Sequence, residues 1–504
     1  MKMKRFLATV ISLATCACTF VSCSTGGALN GMYDAAAPMN GGYIQEAGNA
    51  EEYTEIVENS FVKTSEQPSS YFSIDANTAS YPNLRSMINN RYGNIPKDAV
   101  RVEEMLNYFD YDYELPKGDN ILGLTSAVFD TPYNAETKLL TVGLAAQEVE
   151  FQQQSNNLVF LIDVSGSMNS TDKLPLVQTA FSLLAENLNP TDRVSIVTYA
   201  GADQVALDGA YGYEMAKILG SIEDLSAGGS TAGSKGIRTA YELAKKYFIE
   251  GGNNRVILAT DGDFNVGLTV LEDLENFISR KRDSGVYFSV FGFGRGNIKS
   301  DKMETLALKG NGTYSYIDSV NEAKRALVTN IGGTMLTVAK DVKAGITFNP
   351  DYVDSYRLVG YENKLLTEEE FENDETDAGE LGSGHTVTVA YEIKLTDKAF
   401  VDGENLAQVN VKYKPTENSG GASETSKEVL LDVSTSAYRT AMTTQDSFIA
   451  SVIEFALILR DSQYKGTASL PTLIDRLNGL DLSGDELKAE FRQLVKTYYN
   501  STLE

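Results

Sequence analysis

Between residues 157 and 335, short apolar runs alternate with amphipathic segments, and this alternation restricts the fold more than any other feature of the chain. The apolar runs, which are typical of strands, cover residues 158–162, 194–199, 255–260, 286–291 and 313–317. The amphipathic segments, which are typical of helices, lie near residues 173–188, 214–224, 234–249, 271–284, 300–309 and 320–331. Strands that are apolar on both faces need a layer of helices on each side. The pattern therefore predicts an α/β fold, a doubly wound and mostly parallel sheet, for residues 150–335.

The hydrophobic period changes to two on each side of this region, which is typical of antiparallel strands with one buried face. The alternating runs lie at 122–129 and 138–145 before it, and at 342–348, 385–393 and 407–413 after it. An isolated pair of strands is marginal in water, so the first two runs need further partners. We therefore predict that the α/β domain is inserted into a β-sandwich formed by both flanks.

The same patterns divide the rest of the chain. An N-terminal flanking region at 59–149 holds helices and sandwich strands, a β-sandwich region occupies 336–436, and a C-terminal helical region occupies 437–504. In the first flank we expect a helix whose N-cap is Asn77. The acidic run at 368–377 is interpreted as a solvated hairpin tip.

The first 23 residues have the pattern of an export signal. Lys2, Lys4 and Arg5 precede an apolar stretch at 6–21 that is too short to span a membrane comfortably. The stretch ends in a small residue followed by Cys23, which resembles the lipobox of a bacterial lipoprotein. All three cysteines of the chain lie at or before this position, so we expect no disulfide in the mature protein.

These features predict a signal peptide at 1–22, lipidation of Cys23 and a flexible tether at 23–58. The protein would then be a lipid-anchored membrane lipoprotein in the cell envelope of a Gram-negative-type bacterium. Residues 24–28 lack the acidic run that acts as a surface-export signal in some lipoproteins, so a periplasm-facing orientation is favoured over a surface-exposed one. An ordinary secretory signal with an incidental cysteine is the alternative.

Charge and residue counts exclude several classes of function. Lysine and arginine total 43 against 69 acidic residues, a formal net charge of −26. Such a chain repels phosphate backbones, so we expect no nucleic-acid partner. A single histidine and three cysteines exclude thiolate-rich zinc sites and mechanisms that need two histidines.

Three polar segments lie at the edge where open parallel sheets bind their ligands, two at the ends of predicted strands and one before a predicted helix. The first is an Asp-x-Ser-x-Ser motif after the first strand, the second is a glycine-rich loop before a helix, and the third is a Thr-Asp-Gly-Asp run. Carboxylate and hydroxyl oxygens on such turns can converge on one hard cation. The oxygen-bearing side chains that they supply are Asp163, Ser165, Ser167, Thr231 and Asp261.

This set resembles the metal-ion-dependent adhesion site, or MIDAS, of von Willebrand factor type A (VWA) domains, and all five motif positions are matched. The resemblance covers about residues 157–335. The chain is also similar to a bacterial lipoprotein subfamily in which a VWA domain lies between characteristic N-terminal and C-terminal regions. The stretches that carry this second likeness are 72–81, 98–108, 254–267, 377–385 and 459–466.

The resemblance implies a binding protein and not an enzyme. Two carboxylates leave a divalent ion with net positive charge, and in the family a carboxylate from a protein partner fills the open position. A coordination shell with few anionic ligands and several retained waters suits Mg²⁺, and Mn²⁺ can substitute for it. We therefore expect a protein partner that presents a carboxylate, and contact with the membrane through the lipid anchor only.

Two other functions stay open: a structural envelope protein whose metal site is occupied internally and, less favoured, a metal-dependent hydrolase. For a hydrolase, Asp263 would be the only spare acid near the site. Residues 261–272 mimic an EF-hand loop, but Val266 stands where that loop needs glycine. His385 lies in another predicted domain, which argues against a serine triad, and we interpret it as a structural strand residue.

Overall fold

The computed structural model describes residues 51–503, with gaps at residues 75, 92, 201, 229–233, 263–270, 297 and 298. Several predictions fall outside this part of the chain: the signal peptide, the lipidation of Cys23, most of the tether, and the candidate ligand Thr231. Residues 48–504 form one compact unit. In the described part, no helix has both the length and the apolar character needed to cross a membrane.

The N-terminal flank supplies both helices and sandwich strands. Its elements are β1 (Val62–Lys63), β2 (Ser69–Ser73), α1 (Ser80–Asn89), α2 (Val102–Asn107), β3 (Leu122–Asp130) and β4 (Lys138–Ala146). The N-cap prediction is wrong, because α1 begins after Ala79 and has no side-chain cap. The side-chain oxygen of Asn77 instead accepts a hydrogen bond from the backbone N–H of Tyr314 (3.3 Å), so a long-range contact replaces the local one.

The α/β domain alternates strands and helices, as the sequence predicts. Its strands are β5 (Asn156–Asp163), β6 (Arg193–Ala200), β7 (Ala202–Tyr211), β8 (Asn253–Thr260), β9 (Tyr287–Phe293) and β10 (Tyr314–Ile317). Its helices are α3 (Leu174–Ala185), α4 (Met215–Glu223), α5 (Ser234–Lys246), α6 (Leu271–Arg282), α7 (Ser300–Lys309), α8 (Val320–Lys324) and α9 (Ile331–Met335). A π-helical turn joins the last two helices.

The sheet of this domain has the strand order β10-β9-β8-β5-β6-β7, and neighbours are parallel except for β6 and β7. β5 is buried along its whole length between β8 and β6. Side chains of α3, α4 and α8 form a core on one face of the sheet. Side chains of α5, α6 and α7 form a core on the other face. The predicted doubly wound, mostly parallel sheet is therefore confirmed.

Strand β7 is not predicted by the sequence analysis. It pairs antiparallel with β6 at the edge of the sheet, and the register shifts twice along the pair. Val205 is 42% exposed at this edge. A half-exposed strand with irregular pairing lacks the continuous apolar run that identifies the buried parallel strands.

The C-terminal flank is mostly strands. Its elements are β11 (Thr337–Phe348), β12 (Val353–Val359), β13 (Leu365–Leu366), α10 (Glu368–Glu372), β14 (Gly379–Gly382), β15 (Thr386–Leu395), β16 (Asn405–Pro415), β17 (Lys427–Ser434) and β18 (Tyr438–Arg439). One sheet has the order β1-β12-β15-β4-β3-β18, and the other has the order β13-β2-β11-β16-β17, with β14 also paired to β11.

Each sheet of the sandwich combines strands from before and after the α/β domain. β4 pairs antiparallel with β15, and β2 pairs antiparallel with β11. Side chains from both flanks share one core, in which Phe72, Val142, Ile346 and Val389 are each at most 1% exposed. The predicted insertion of the α/β domain into a sandwich built by both flanks is confirmed.

The acidic run at 368–377 differs from the predicted solvated tip. It contains the short helix α10, whose N-terminus is closed by a capping box at Thr367. The Nζ of the buried Lys343 donates to two backbone carbonyl oxygens within and after α10 (3.2 and 2.6 Å), and Lys414 Nζ donates to the next carbonyl (2.5 Å). Lysines of β11 and β16 therefore hold this run against the sheet, a contact that its local charge pattern does not reveal.

The C-terminal helices α11 (Thr444–Arg460), α12 (Leu470–Asn478) and α13 (Glu486–Ser501) share a core with α1 and α2. At its centre, the rings of Phe109, Phe448 and Phe491 lie with centroids 5.0 to 5.6 Å apart, edge to face. Such arrangements are favourable for aromatic rings. Helix α12 is absent from the sequence predictions because it is short, with only two fully buried residues.

Arg85 of α1 connects the flanks to the α/β domain through a buried network of charges. Its Nη2 lies 2.6 Å from Asp318 Oδ1 and 2.9 Å from Glu322 Oε2, and its Nη1 donates to the Tyr108 hydroxyl (2.8 Å). Glu322 belongs to α8, close to where the chain leaves the α/β domain. Separating buried charges is costly, so this network fixes the domain on the rest of the body.

Residues 51–58, which the sequence analysis assigns to the tether, lie on the body. The backbone N–H of Thr54 donates to Asp301 (2.6 Å), and that of Ile56 donates to Asp98 (2.8 Å). Glu58 accepts a hydrogen bond from the Ser462 hydroxyl (2.5 Å). At least these residues of the predicted tether are therefore part of the folded body.

The shared sandwich predicts how fragments behave. Residues 150–335 should fold alone and melt cooperatively, because their sheet has its own two helix layers. Residues 336–504 expressed without 59–149 should be insoluble or aggregate, because β15 loses β4 and β11 loses β2, which leaves unpaired strand edges. Circular dichroism and analytical ultracentrifugation measure both outcomes.

Co-expression with residues 51–149 is the matched control, and it should recover soluble 336–504. A monodisperse, cooperatively melting 336–504 fragment on its own would show that the flanks are independent domains.

Candidate metal centre

The carboxyl ends of β5 and β8 bring two predicted ligands to the same edge of the sheet. Asp163 is the last residue of β5, and Asp261 follows the last residue of β8. The strands are parallel neighbours with Ile162 opposite Ala259. Asp163 and Asp261 are at most 1% exposed. Two carboxylates are thus removed from water at the place where open α/β sheets bind ligands.

The loop after β5 adds two hydroxyl groups to this edge. The backbone N–H of Ser165 donates to Asp163 Oδ1 (2.8 Å), which folds the loop back over the strand end. The hydroxyl oxygens of Ser165 and Ser167 are 3.0 Å apart. The following 3₁₀ turn is held down by Met168, which is fully buried. The structure therefore places three of the predicted ligands on one tight turn.

Burial dominates the electrostatics of Asp163. It raises the pKa of this carboxyl group to about 6, and the negative charge of Asp261 acts in the same direction. The hydrogen bond from the Ser165 N–H opposes the shift. Thr260 places its hydroxyl 3.5 Å from the other carboxylate oxygen. A nearby cation would therefore stabilise the charged form of this buried carboxylate.

A lysine that the sequence analysis did not consider lies on the second carboxylate. Lys173 Nζ is 2.8 Å from Asp261 Oδ2, and the two side chains are 12% and 0% exposed. Lys173 is the residue before α3. Its contact with Asp261 spans 88 positions of sequence, and no motif or spacing indicates it.

Thr231 lies outside the described residues and stays a prediction. The residues that flank its loop are at the same edge of the sheet. On one side, the backbone N–H of Gly228 donates to the carbonyl of Val164 (2.8 Å), next to Asp163. On the other side, α5 packs on β5 and β6 near their carboxyl ends, with Gly236 close against Tyr199.

The structure places His385, another chemistry-bearing residue of the sequence analysis, outside this site. His385 lies in the turn before β15, where burial lowers its pKa to about 4, so it is neutral at physiological pH. It directly precedes β15, and its carbonyl oxygen accepts a hydrogen bond from the Ala146 N–H (2.9 Å), so its role is structural although it lies one residue outside the strand. Glu272 lies in α6, and Asp263 falls in a gap of the described chain.

The donor set fits a hard divalent cation. The side chains that converge here, Asp163, Ser165, Ser167 and Asp261, offer only oxygen, which suits Mg²⁺ and Mn²⁺ better than softer metals. Within the described residues no group of three or more His, Cys, Asp or Glu could hold a metal. A site here therefore depends on hydroxyl ligands in addition to the two carboxylates.

Comparison with family models divides the chain much as the fold does. Residues 157–329 match the model "von Willebrand factor type A domain", and residues 47–141 match "von Willebrand factor". Residues 333–500 match "Uncharacterized protein YfbK, C-terminal". The boundary at 333 lies in α9, next to the start of the sandwich strand β11.

Individual relatives show the same likeness. The chain is 39% identical over 404 residues to YfbK of Escherichia coli K12, which covers 78% of this chain and 68% of YfbK. It is 28% identical over 173 residues to the Synechocystis protein sll0103, covering 33% of this chain and 39% of that protein. Among solved structures, von Willebrand factor type A from Catenulispora acidiphila matches with a TM-score of 0.41 at 16% identity, covering 73% of this chain and 88% of that chain.

Proposed function

We propose a metal-dependent binding function for this chain, which belongs to the family of von Willebrand factor type A proteins that includes YfbK. VWA domains generally mediate protein–protein interactions, often through a metal, and are generally interaction modules rather than enzymes. In this chain we propose that the partner binds at one edge of the α/β sheet, at the carboxyl ends of β5 and β8.

The observation that carries the proposal is the meeting of Asp163, Ser165 and Ser167 with Asp261 at one edge of the sheet. These residues, together with Thr231, would hold Mg²⁺ or Mn²⁺. When bound, the ion supplies a positively charged position that can accept an oxygen ligand from outside the chain. Ser167 is exposed, unlike Asp163, Ser165 and Asp261, so a partner would reach the ion from the side of Ser167.

A carboxylate is the partner group that we propose for this position. Two protein carboxylates can at most balance a divalent ion, and the hydroxyl ligands are neutral, so the ion is not over-neutralised by the chain. An incoming carboxylate can therefore replace water at the open position of the ion, and the attraction between the two is strong where water is scarce. The partner would be a protein that presents an Asp or Glu side chain.

The place of action that we propose is the cell envelope. The pattern of residues 1–23 supports export and lipidation of Cys23, and the body would then be held at the membrane by lipid alone. The absence of an acidic run after Cys23 favours a periplasm-facing body. The finding that no described helix could span a membrane leaves the lipid as the attachment in this proposal.

The metal site predicts a clear effect of Asp163→Ala. Isothermal titration of the detergent-purified mature protein with MgCl₂ or MnCl₂ should show one binding event, and Asp163→Ala should lower the affinity at least 100-fold because it removes a buried anionic ligand. Thr179→Ala, which removes an exposed hydroxyl on α3, is the matched control and should leave affinity unchanged. Equal affinity in wild type and Asp163→Ala would disprove the site.

The binding function predicts that capture of the partner depends on metal. Wild-type protein coupled to resin should retain envelope proteins in Mg²⁺ and release them in excess chelator. Thr231→Ala should weaken this capture, because it removes one proposed hydroxyl ligand, while the melting temperature stays unchanged. Capture that persists in full in chelator would rule out the carboxylate–metal contact even if metal binds.

The lipid anchor predicts where the protein fractionates. Cys23→Ser should move the chain from the membrane fraction to the soluble fraction, because the acyl attachment site is lost. Mass spectrometry of the wild-type N-terminus checks the modification directly. A wild-type chain that remains soluble and unmodified would support the ordinary secretory signal instead.

A further inference from the structure

We propose that Lys173 is a tethered cation that occupies the Asp261 side of the metal centre and that a divalent ion must displace it in order to bind. This inference rests on the proposed function, because it concerns the regulation of the same site. It assigns to Lys173 the role of setting the metal concentration at which the site fills.

The contact itself is short and shielded from water. Lys173 Nζ lies 2.8 Å from Asp261 Oδ2, a direct ion pair in which the carboxylate is fully buried and the lysine side chain is 12% exposed. An ion pair at the protein surface is weakened by water and salt, but one with this burial is not. The ammonium group therefore acts on the carboxylate of Asp261 at nearly full strength.

The lysine is held in this position by packing. Its stem lies against Gly294, in the loop after β9, and a Cβ at Gly294 would stand 2.4 Å from the Cγ of Lys173. Gly294 has φ +73°, a conformation that glycine adopts without strain. The backbone of this loop thus leaves a channel that only a glycine provides, and the lysine stem fills it.

A divalent ion and this ammonium group cannot share the site without repulsion. Both would lie next to one buried carboxylate. Two positive charges a few ångströms apart repel each other strongly where water is excluded. The ion therefore binds only after Lys173 moves. The work of breaking the ion pair is subtracted from the metal's binding free energy, so metal affinity is lower than the ligands alone would allow.

A second carboxylate is ready to receive the displaced lysine. Asp172, the preceding residue, is 29% exposed at the rim of the site and is fixed by the Ser170 hydroxyl (2.6 Å) and by Arg295 (3.4 Å). A lysine side chain that leaves Asp261 and turns toward solvent would come within reach of this anion while its ammonium group becomes hydrated. The displaced state is therefore accessible without unfolding the loop.

The decisive experiment removes the positive charge of Lys173 but keeps a hydrogen-bond donor at this position. Lys173→Gln retains an N–H donor for Asp261 but carries no charge, and Lys173→Arg retains the charge. Titration calorimetry with MgCl₂ and MnCl₂ on the detergent-purified mature protein should give at least tenfold tighter binding for Lys173→Gln. Lys173→Arg should stay within about threefold of wild type. Lys173→Met, a neutral side chain of similar length, serves as a second neutral variant.

Thermal melting gives a readout that does not depend on any partner. In chelator, Lys173→Gln should melt at a lower temperature than wild type, because Asp261 is left buried without its cation. In saturating Mg²⁺ it should gain more stability than wild type does. The lower melting temperature in chelator would also follow from lost packing, whereas the larger gain in Mg²⁺ follows from competition and would not follow if Lys173 were only a packing residue.

The outcomes separate this inference from the proposed function. If Asp163→Ala abolishes metal binding but Lys173→Gln binds metal as wild type does, or more weakly, the metal site stands and the competing role of Lys173 is wrong. Weaker binding would make Lys173 a residue that positions Asp261 for the ion. If neither wild type nor either neutral variant binds metal, both the proposed function and this inference fail.

Discussion

Parallel pairing between β5 and β8 is the constraint on which the candidate metal centre depends. It sets Ile162 opposite Ala259 at the ends of the strands, so that the carboxylates of Asp163 and Asp261 are buried at one edge. Buried carboxylates are unfavourable unless hydrogen bonds or cations compensate them. Here the Ser165 N–H contacts one carboxylate and the Lys173 ammonium contacts the other. The need for positive charge at this edge is the physical basis of the proposed metal binding.

The sandwich and the C-terminal helices hold that edge in place. Because β2, β3 and β4 pair with strands that follow the α/β domain, both connections to that domain begin in one folded frame. Arg85 adds a buried contact between the frame and α8. A partner bound at the metal edge would therefore engage a rigid body rather than a domain on a loose linker.

Prediction from the sequence succeeds where one element determines its own pattern. β5 and β8 are apolar on both faces, and their burial follows from that run alone. It fails where the pattern is weak or the partner is distant. β7 is half-exposed, α12 is short, and Asn77 bonds to a strand far along the chain instead of capping α1. The candidate ligands come from a motif with fixed spacing, so the sequence could name them; Asp163, Ser165, Ser167 and Asp261 lie at one edge of the sheet, and Thr231 stays a prediction.

The sequence by itself determined the layered α/β domain, its insertion between two strand-rich flanks and the identity of the oxygen-bearing residues at the strand ends. Hydrophobic period and short motifs are local properties, and they survive in the unfolded chain. Only the tertiary structure decided which partner each charged side chain meets. Lys173 pairs with Asp261, Arg85 pairs with Glu322, and Lys343 donates to backbone carbonyls around α10. These contacts depend on which surfaces pack together, and a charge that is exposed in one packing is buried and paired in another.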